Sequence, residues 1–539
     1  MRLLHRLSLR TGLVVCSTLA ALLAVEGGFR YYEPIPEPVG ASFTFPNPGD
    51  PDSFLVVVLG GSTAAGEPYD RQPPLSAGDL FVHYLRQQLP QQNFRILKTF
   101  LYGGDLRRVL IQSLAGLPEQ PDLLIVIAGH NEFLGRYGPN VTCKNTDSRI
   151  APPTWRRSAT LRFLQERLRQ KRLADPPRRT GRELFDRPIV CSYQWHETLV
   201  QYDRTIGDIA RLSERLEIPT LFAFPAGNSR DFEPNRSVYR GDPQHREIFE
   251  QLYRWGRHHL GRSDFDAALA CFAAAETIDS SFADLLFRTG QALSAKDREP
   301  QASDYFRRAS DNDGYPFRAL SEQSTSMRRR AEQHGHMFVD FRRVLREGAG
   351  TGALDHRTLA DMHHPNLTGY FLMARAIYAK VAQAKLIPGI HPRDLDALPS
   401  DMQVLETLGF GEQELFHAIL SRVHWLDRIR YYGHASVERM AMLLMYHKIL
   451  NELRTTLRAA EGTLPDTPTH EAAQLRALLE QWSWPRTSPE ERALLLERGC
   501  RTSSRPAQER PDTPIWTPLD EESVMSSLNP WHGDVSPQL

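Results

Sequence analysis

Three short segments of this 539-residue chain carry side chains that do covalent chemistry when a fold brings them together. In the first, Leu55-Val-Val-Val-Leu-Gly-Gly-Ser-Thr, an apolar run ends on two glycines and Ser62. The second is Asp361-Met-His-His-Pro, and the third is Gly129-His-Asn-Glu132. A serine is a weak nucleophile until an imidazole takes its proton, and that imidazole needs a carboxylate to fix its tautomer. Asp361 and His364, three apart in one turn, can meet as that pair. His363 is the rival base, with a ring expected to point away from the position facing Asp361. The Asn131 amide suits a developing oxyanion, Tyr102-Gly103-Gly104-Asp105 can add a backbone N–H, and the amide of Ser62 is a further donor. Plainer readings exist for each segment: a glycine-rich turn that cradles a phosphate or caps a helix, and an Asp–His cap on the helix that Pro365 starts. No GKS, GKT or GxGxxG is present to make a phosphate loop, and only the combination points to acyl transfer.

Those residues need a frame. Short apolar runs at Phe54–Leu59, Phe94–Phe100, Leu123–Ala128, Thr220–Phe224 and Met337–Phe341 predict strands buried on both faces. Helical patterns at Leu80–Leu89, Arg107–Leu114, Val200–Leu216 and Gly369–Ala384 lie between and after them. This alternation predicts an α/β fold, a parallel sheet with helices on both sides, in which chemistry gathers at the carboxyl ends of the strands. Serine, glycine, asparagine and the Asp–His pair all fall at such ends.

In this order the segments resemble the SGNH (GDSL-like) hydrolases. Ser62 matches the nucleophile of the first block, Gly103 or Gly104 the glycine of the second, Asn131 the asparagine of the GxND-like third, and Asp361 with His364 the DxxH of the fifth. The resemblance implies a three-layer α/β/α sheet of flavodoxin-like order, and an oxyanion hole built from Ser62, Asn131 and one of the two glycines. The chain departs from the pattern where GGST replaces GDS, where Glu132 replaces aspartate, and where Phe100-Leu-Tyr approaches the second-block glycines. His130, Glu132, Asn228 and Arg230 are further candidates for contact with substrate.

Hydrolase segments are expected at 50–145, 191–235 and 317–390, interrupted by a basic stretch at 146–190 and an insertion at 236–316. In the insertion Gly256, Ala268, Phe272 and Ala275 recur 34 residues later as Gly290, Ala302, Phe306 and Ala309. That period, with small residues where paired helices approach and an aromatic where they interlock, is the tetratricopeptide (TPR) pattern, and a protein partner through these repeats is one expectation. The basic stretch reads as a solvated helix, with a membrane-surface helix or a lid over the site as alternatives. A helical extension is expected at 395–484 and a disordered tail at 485–539.

Lys+Arg and Asp+Glu both number 65, a balance that gives no reason to expect a nucleic-acid partner. Arg2, Arg6 and Arg10 precede an uncharged run from Thr11 to Val25, so residues 1–32 read as a membrane anchor or a cleaved signal peptide. The anchor is favoured, which puts the catalytic region outside the cytoplasm; the cleaved alternative makes the protein secreted. Cys16, Cys143, Cys191, Cys271 and Cys500 form no metal pattern, and in an exported chain Cys143 and Cys191 can bridge the ends of the basic stretch. His258-His259 and His334-Gly-His336 lack ligand partners in the sequence, so neither metal nor cofactor is expected. The expected activity is cleavage of an ester-linked acyl group, with an acylated carbohydrate or lipid as the substrate class. Its rivals are an O-acyltransferase or deacetylase acting on an envelope polysaccharide, and a tethered scaffold whose hydrolase site is vestigial.

Overall fold

The computed structural model describes residues 43–133 except 48, 142–143, 189–190, 192–429 except 351, and short helical stretches between 438 and 453. The N-terminal segment, nearly all of the basic stretch, Cys16, Cys191, Cys500 and the tail therefore lie outside the described residues. Among the described residues, no helix is long and apolar enough to cross a membrane.

The five apolar runs become β1 (Phe54–Gly60), β2 (Phe94–Phe100), β3 (Leu123–Ile127), β4 (Thr220–Phe224) and β5 (Met337–Asp340). They form one parallel sheet in the order β2-β1-β3-β4-β5, the order of flavodoxin-like doubly wound sheets. Alternate residues of β1 feed two separate cores. Val56 and Val58 pack with helices Ala77–Gln88 and Leu367–Gln383. Leu55, Val57 and Leu59 pack on the other face with Leu106–Gly116, Ser192–Arg215 and Ser321–Gln333. Period-2 side chains on a strand with helices on both faces must divide in this way. Burial on both faces holds for β3 and β4 throughout and for β1 beyond Phe54, but not for β2 and β5. These two are the sheet edges, so one flank of each has no neighbouring strand to cover it.

The insertion folds as two helix pairs, Arg246–Gly261 with Phe265–Glu276 and Ala283–Ala295 with Glu299–Asp311. The repeated positions meet as their spacing predicts. A Cβ on Gly256 would stand 2.3 Å from the Phe272 ring, and one on Gly290 would stand 2.8 Å from the Phe306 ring. Each glycine is the notch into which the facing aromatic inserts.

The C-terminal extension is seated on the other parts. Leu415, Ala418, Ile419 and Leu426 of helix Glu412–Ile429 join the core that includes Val56 and Tyr370. Glu438 accepts from Arg288 Nη1 at 2.6 Å and from Gln291 Nε2 at 2.7 Å, while Arg439 pairs with Glu233 at 2.7 Å. The second helix pair of the insertion is thus engaged by the chain's own extension. A two-residue antiparallel pair, Thr142–Cys143 with Ile189–Val190, brings the ends of the basic stretch together.

Candidate active site

β1 ends on Gly60 and passes through Gly61 into the short helix Ser62–Ala65. Both glycines are required by what faces them. A Cβ on Gly60 would lie 2.1 Å from the Ile127 carbonyl oxygen of the neighbouring strand, and one on Gly61 would lie 2.7 Å from Asn131 Nδ2. The first effect of the two glycines is to admit β3 and the Asn131 carboxamide. Gly66, in the left-handed region at φ 107°, ends the short helix. The turn is then held from outside, by Lys98 Nζ donating to the Ala65 carbonyl at 2.9 Å and Tyr370 Oη donating to the Glu67 carbonyl at 2.7 Å.

The Asp361–His364 loop, which precedes helix Leu367–Gln383, is braced with equal care. The Ala360 amide donates to the His364 carbonyl at 2.7 Å, the Asn228 amide to the Met362 carbonyl at 2.8 Å, and Tyr446 Oη to the Ala360 carbonyl at 2.6 Å. Asn366 caps the following helix by accepting from the Gly369 amide at 2.9 Å.

These two loops bring 62 and 364 into contact. Ser62 Oγ lies 2.8 Å from His364 Nε2, and His364 Nδ1 lies 2.7 Å from Asp361 Oδ2. Asp361 Oδ1 accepts from the amides of His363 and His364 at 2.9 and 2.8 Å. All three triad side chains are buried. Burial alone would push the Asp361 carboxyl up, but His364, Arg422 and the hydrogen bond to His364 hold it well below the usual carboxylate range. A carboxylate kept ionised beside Nδ1 fixes the tautomer that leaves Nε2 free to take a proton from Ser62. His363, the rival base, lies against His364 with ring centroids 4.1 Å apart and planes tilted by 43°, and beyond it lies His130 at 5.0 Å. Burial, followed by the neighbouring His364, holds His363 well below its ordinary value. It is an uncharged wall of the site.

Asn131 is buried beside Gly61 and lines a small pocket with Ser62, Gly104 and His130. The second-block glycines differ from each other. The Gly104 amide closes a turn onto the Leu101 carbonyl at 3.0 Å, whereas Gly103 is exposed in the left-handed region at φ 65°.

The four candidates for substrate contact have other work. His130 Nδ1 accepts from the Ala319 amide at 3.0 Å. Glu132 accepts from the Leu106 amide at 3.2 Å, at the start of helix Leu106–Gly116, and burial followed by Asp105 raises its carboxyl well above the ordinary value. Asn228 braces Met362 and donates to Asp231 at 3.1 Å, and Arg230 reaches Ser294 and Glu299 of the insertion at 2.7 and 3.1 Å. Asn228 thus braces the loop that carries Asp361 and His364, while His130, Glu132 and Arg230 tie other segments together and the first two also line the pocket beside Ser62, because a loop at a strand end has to satisfy its own buried polar groups.

Two contributors escaped the sequence reading. The Arg422 guanidinium, fully buried, contacts Asp361 Oδ2 and Glu67 Oε1. Glu67 Oε2 lies 3.6 Å from His364 Nε2. Arg422 had one readable signal, since it sits on the buried stripe of its helix with Leu415, Ala418, Ile419 and Leu426, where a charge requires a partner. Glu67 had none.

Asp361, His363 and His364 also present ligand atoms within 4.8 Å of one another, the geometry of a metal site. The Arg422 guanidinium already occupies that carboxylate, and a dication there would face a fixed positive charge. The donor set does not fit a metal. No protein-family model matches the chain, and no curated protein matches it.

Proposed function

We propose that this protein is a serine hydrolase of the SGNH (GDSL-like) type, acting on an ester-linked acyl group, with a TPR-like insertion between its third and fifth blocks. The observation that carries the reading is the buried chain of contacts from Ser62 Oγ through His364 to Asp361. In the reaction His364 Nε2 takes the hydroxyl proton as Ser62 Oγ attacks the acyl carbon. The oxyanion is received by the Ser62 amide and Asn131 Nδ2, and the third donor is a second-block glycine: Gly104 lines the pocket with its amide committed to a turn, and Gly103 is exposed beside it. Collapse expels the alcohol, which takes the proton from His364, and water, activated by the same imidazole, releases the acid.

The test is covalent labelling by a fluorophosphonate probe, with loss of labelling in Ser62→Ala and His364→Ala and mass-spectrometric assignment of the adduct to Ser62. An unlabelled wild-type protein would overturn the reading and favour a scaffold with a vestigial site. Product analysis with water and a sugar hydroxyl in competition then separates hydrolysis from transfer to an envelope polysaccharide.

A further inference from the structure

Helix Glu412–Ile429 follows every segment of the triad in the chain, yet it delivers a buried cation into the triad's centre. Arg422 Nη1 contacts Asp361 Oδ2 and lies 3.0 Å from His364 Nδ1, while Nη2 contacts Glu67 Oε1. Glu67 and Asp361 therefore flank the two ring nitrogens of His364, and one guanidinium ties the carboxylates together. The arrangement raises a problem of charge. An arginine bonded to the triad acid draws carboxylate charge away from the imidazole and opposes the imidazolium that must form when Ser62 gives up its proton. With Asp361 and Arg422 alone, the imidazolium would face a pair with no net charge, and only the more distant oxyanion would balance it. With Glu67 present the four groups become neutral at the moment of proton transfer, the arrangement a low-dielectric site favours.

We propose that Glu67 and Arg422 are a positioning pair for His364: Arg422 locks Asp361 onto Nδ1, and Glu67 supplies the negative charge that lets the ring accept the Ser62 proton beside a guanidinium. The proposal rests on the reading of Ser62 as nucleophile. Among the described residues, the other groups around the ring carry no competing charge. His363 and His130 are both held below their ordinary values by burial, Tyr69 and Tyr370 are pushed up by burial, and Trp425 is uncharged. Burial pushes the Glu67 carboxyl up, but His364 and Arg422 more than offset it, so it remains an anion.

The experiment follows the rate of Ser62 modification by a fluorophosphonate, and kcat/KM for a short aryl ester, across pH in the full-length protein. Glu67→Gln removes a negative charge near Nε2, so the imidazolium forms less readily. The acid limb of both profiles should move to lower pH by about 1 unit, and the plateau should fall about tenfold. Arg422→Gln should move the limb the opposite way. The double variant should return it towards the wild-type position, and Arg422→Lys, which keeps the charge, should lie nearer wild type than Arg422→Gln. If Arg422→Gln fails to fold, Glu67→Gln and Arg422→Lys carry the test. A Glu67→Gln limb that stays at the wild-type position overturns the pair while leaving the serine hydrolase reading intact. An unlabelled wild type overturns both.

Discussion

Asn131 Nδ2 occupies the space a side chain on Gly61 would need, 2.7 Å from the position of its Cβ. Gly61, before the proposed nucleophile, and Asn131, the proposed oxyanion donor, are therefore one device, made by leaving an atom out of one segment so that another can enter. Gly61→Ala should displace the carboxamide and cost on the order of 10²–10³ in kcat, as Asn131→Ala should, because either change removes one oxyanion donor. The two losses should not add in the double variant, a comparison that steady-state kinetics on an aryl ester makes directly.

Gly60 and Gly290 make a second prediction about close approach. Alanine is ordinarily the better residue in a helix by about 1 kcal/mol. At Gly290 the added methyl would meet the Phe306 ring at 2.8 Å, and at Gly60 it would meet the Ile127 carbonyl oxygen at 2.1 Å. Gly290→Ala should therefore lower stability by about 1–3 kcal/mol, and Gly60→Ala by more, since a ring can shift and a central strand cannot. Urea denaturation of each variant checks the order.

The parts legible in the sequence were those whose signal is local. Apolar runs between helical patterns located all five strands to within a residue or two, and the three inner strands have no polar side to confuse the pattern. The Asp361–His364 spacing was legible because three residues within a turn fix the separation of two side chains. Edge exposure at β2 and β5 was not, since strand order is a property of the whole sheet. The roles of Glu132 and Asn228 were not legible either. Each bonds a backbone group in another segment, Leu106 for one and Met362 for the other. Glu67 and Arg422 meet across 355 positions, and nothing in the spacing of either announces the other.

Acid should weaken the fold in two stages. Burial, followed by the neighbouring His364, pushes His130 from 6.5 down to about 3, so its folded form stays neutral where the unfolded chain takes a proton. That stability is present above pH 6.5 and is lost as pH falls towards 3. Between pH 7 and pH 5 this one ring accounts for about 2 kcal/mol. Asp361 and Glu67, both depressed, add a second loss as pH falls below the ordinary carboxylate range. Thermal unfolding should show a midpoint that declines from neutral pH downward, and His130→Gln should reduce the slope above pH 5, to which the similarly depressed His363 still contributes, while leaving the steeper acid loss in place.

The extension should be coupled to the insertion through the part-buried ion pair of Arg288 and Glu438. Arg288 and Glu438 are part-buried and meet at 2.6 Å, and the same guanidinium lies 3.3 Å from Asp284. Removing Arg288 leaves two part-buried carboxylates without their cation, so Arg288→Met should cost about 1–3 kcal/mol, more than a surface ion pair is worth. Glu438→Gln keeps an oxygen to accept from Gln291 and removes one of those charges, so the double variant should recover a large part of the loss. A double-mutant cycle in urea should give a coupling of about 1–3 kcal/mol. Because the same extension carries Arg422, kcat/KM should fall in Arg288→Met under conditions where the protein remains folded, and should rise again in the double variant together with the stability. Zero coupling would mean that the extension holds its place without this contact, and that Arg422 is positioned by the packing of Leu415, Ile419 and Leu426 alone.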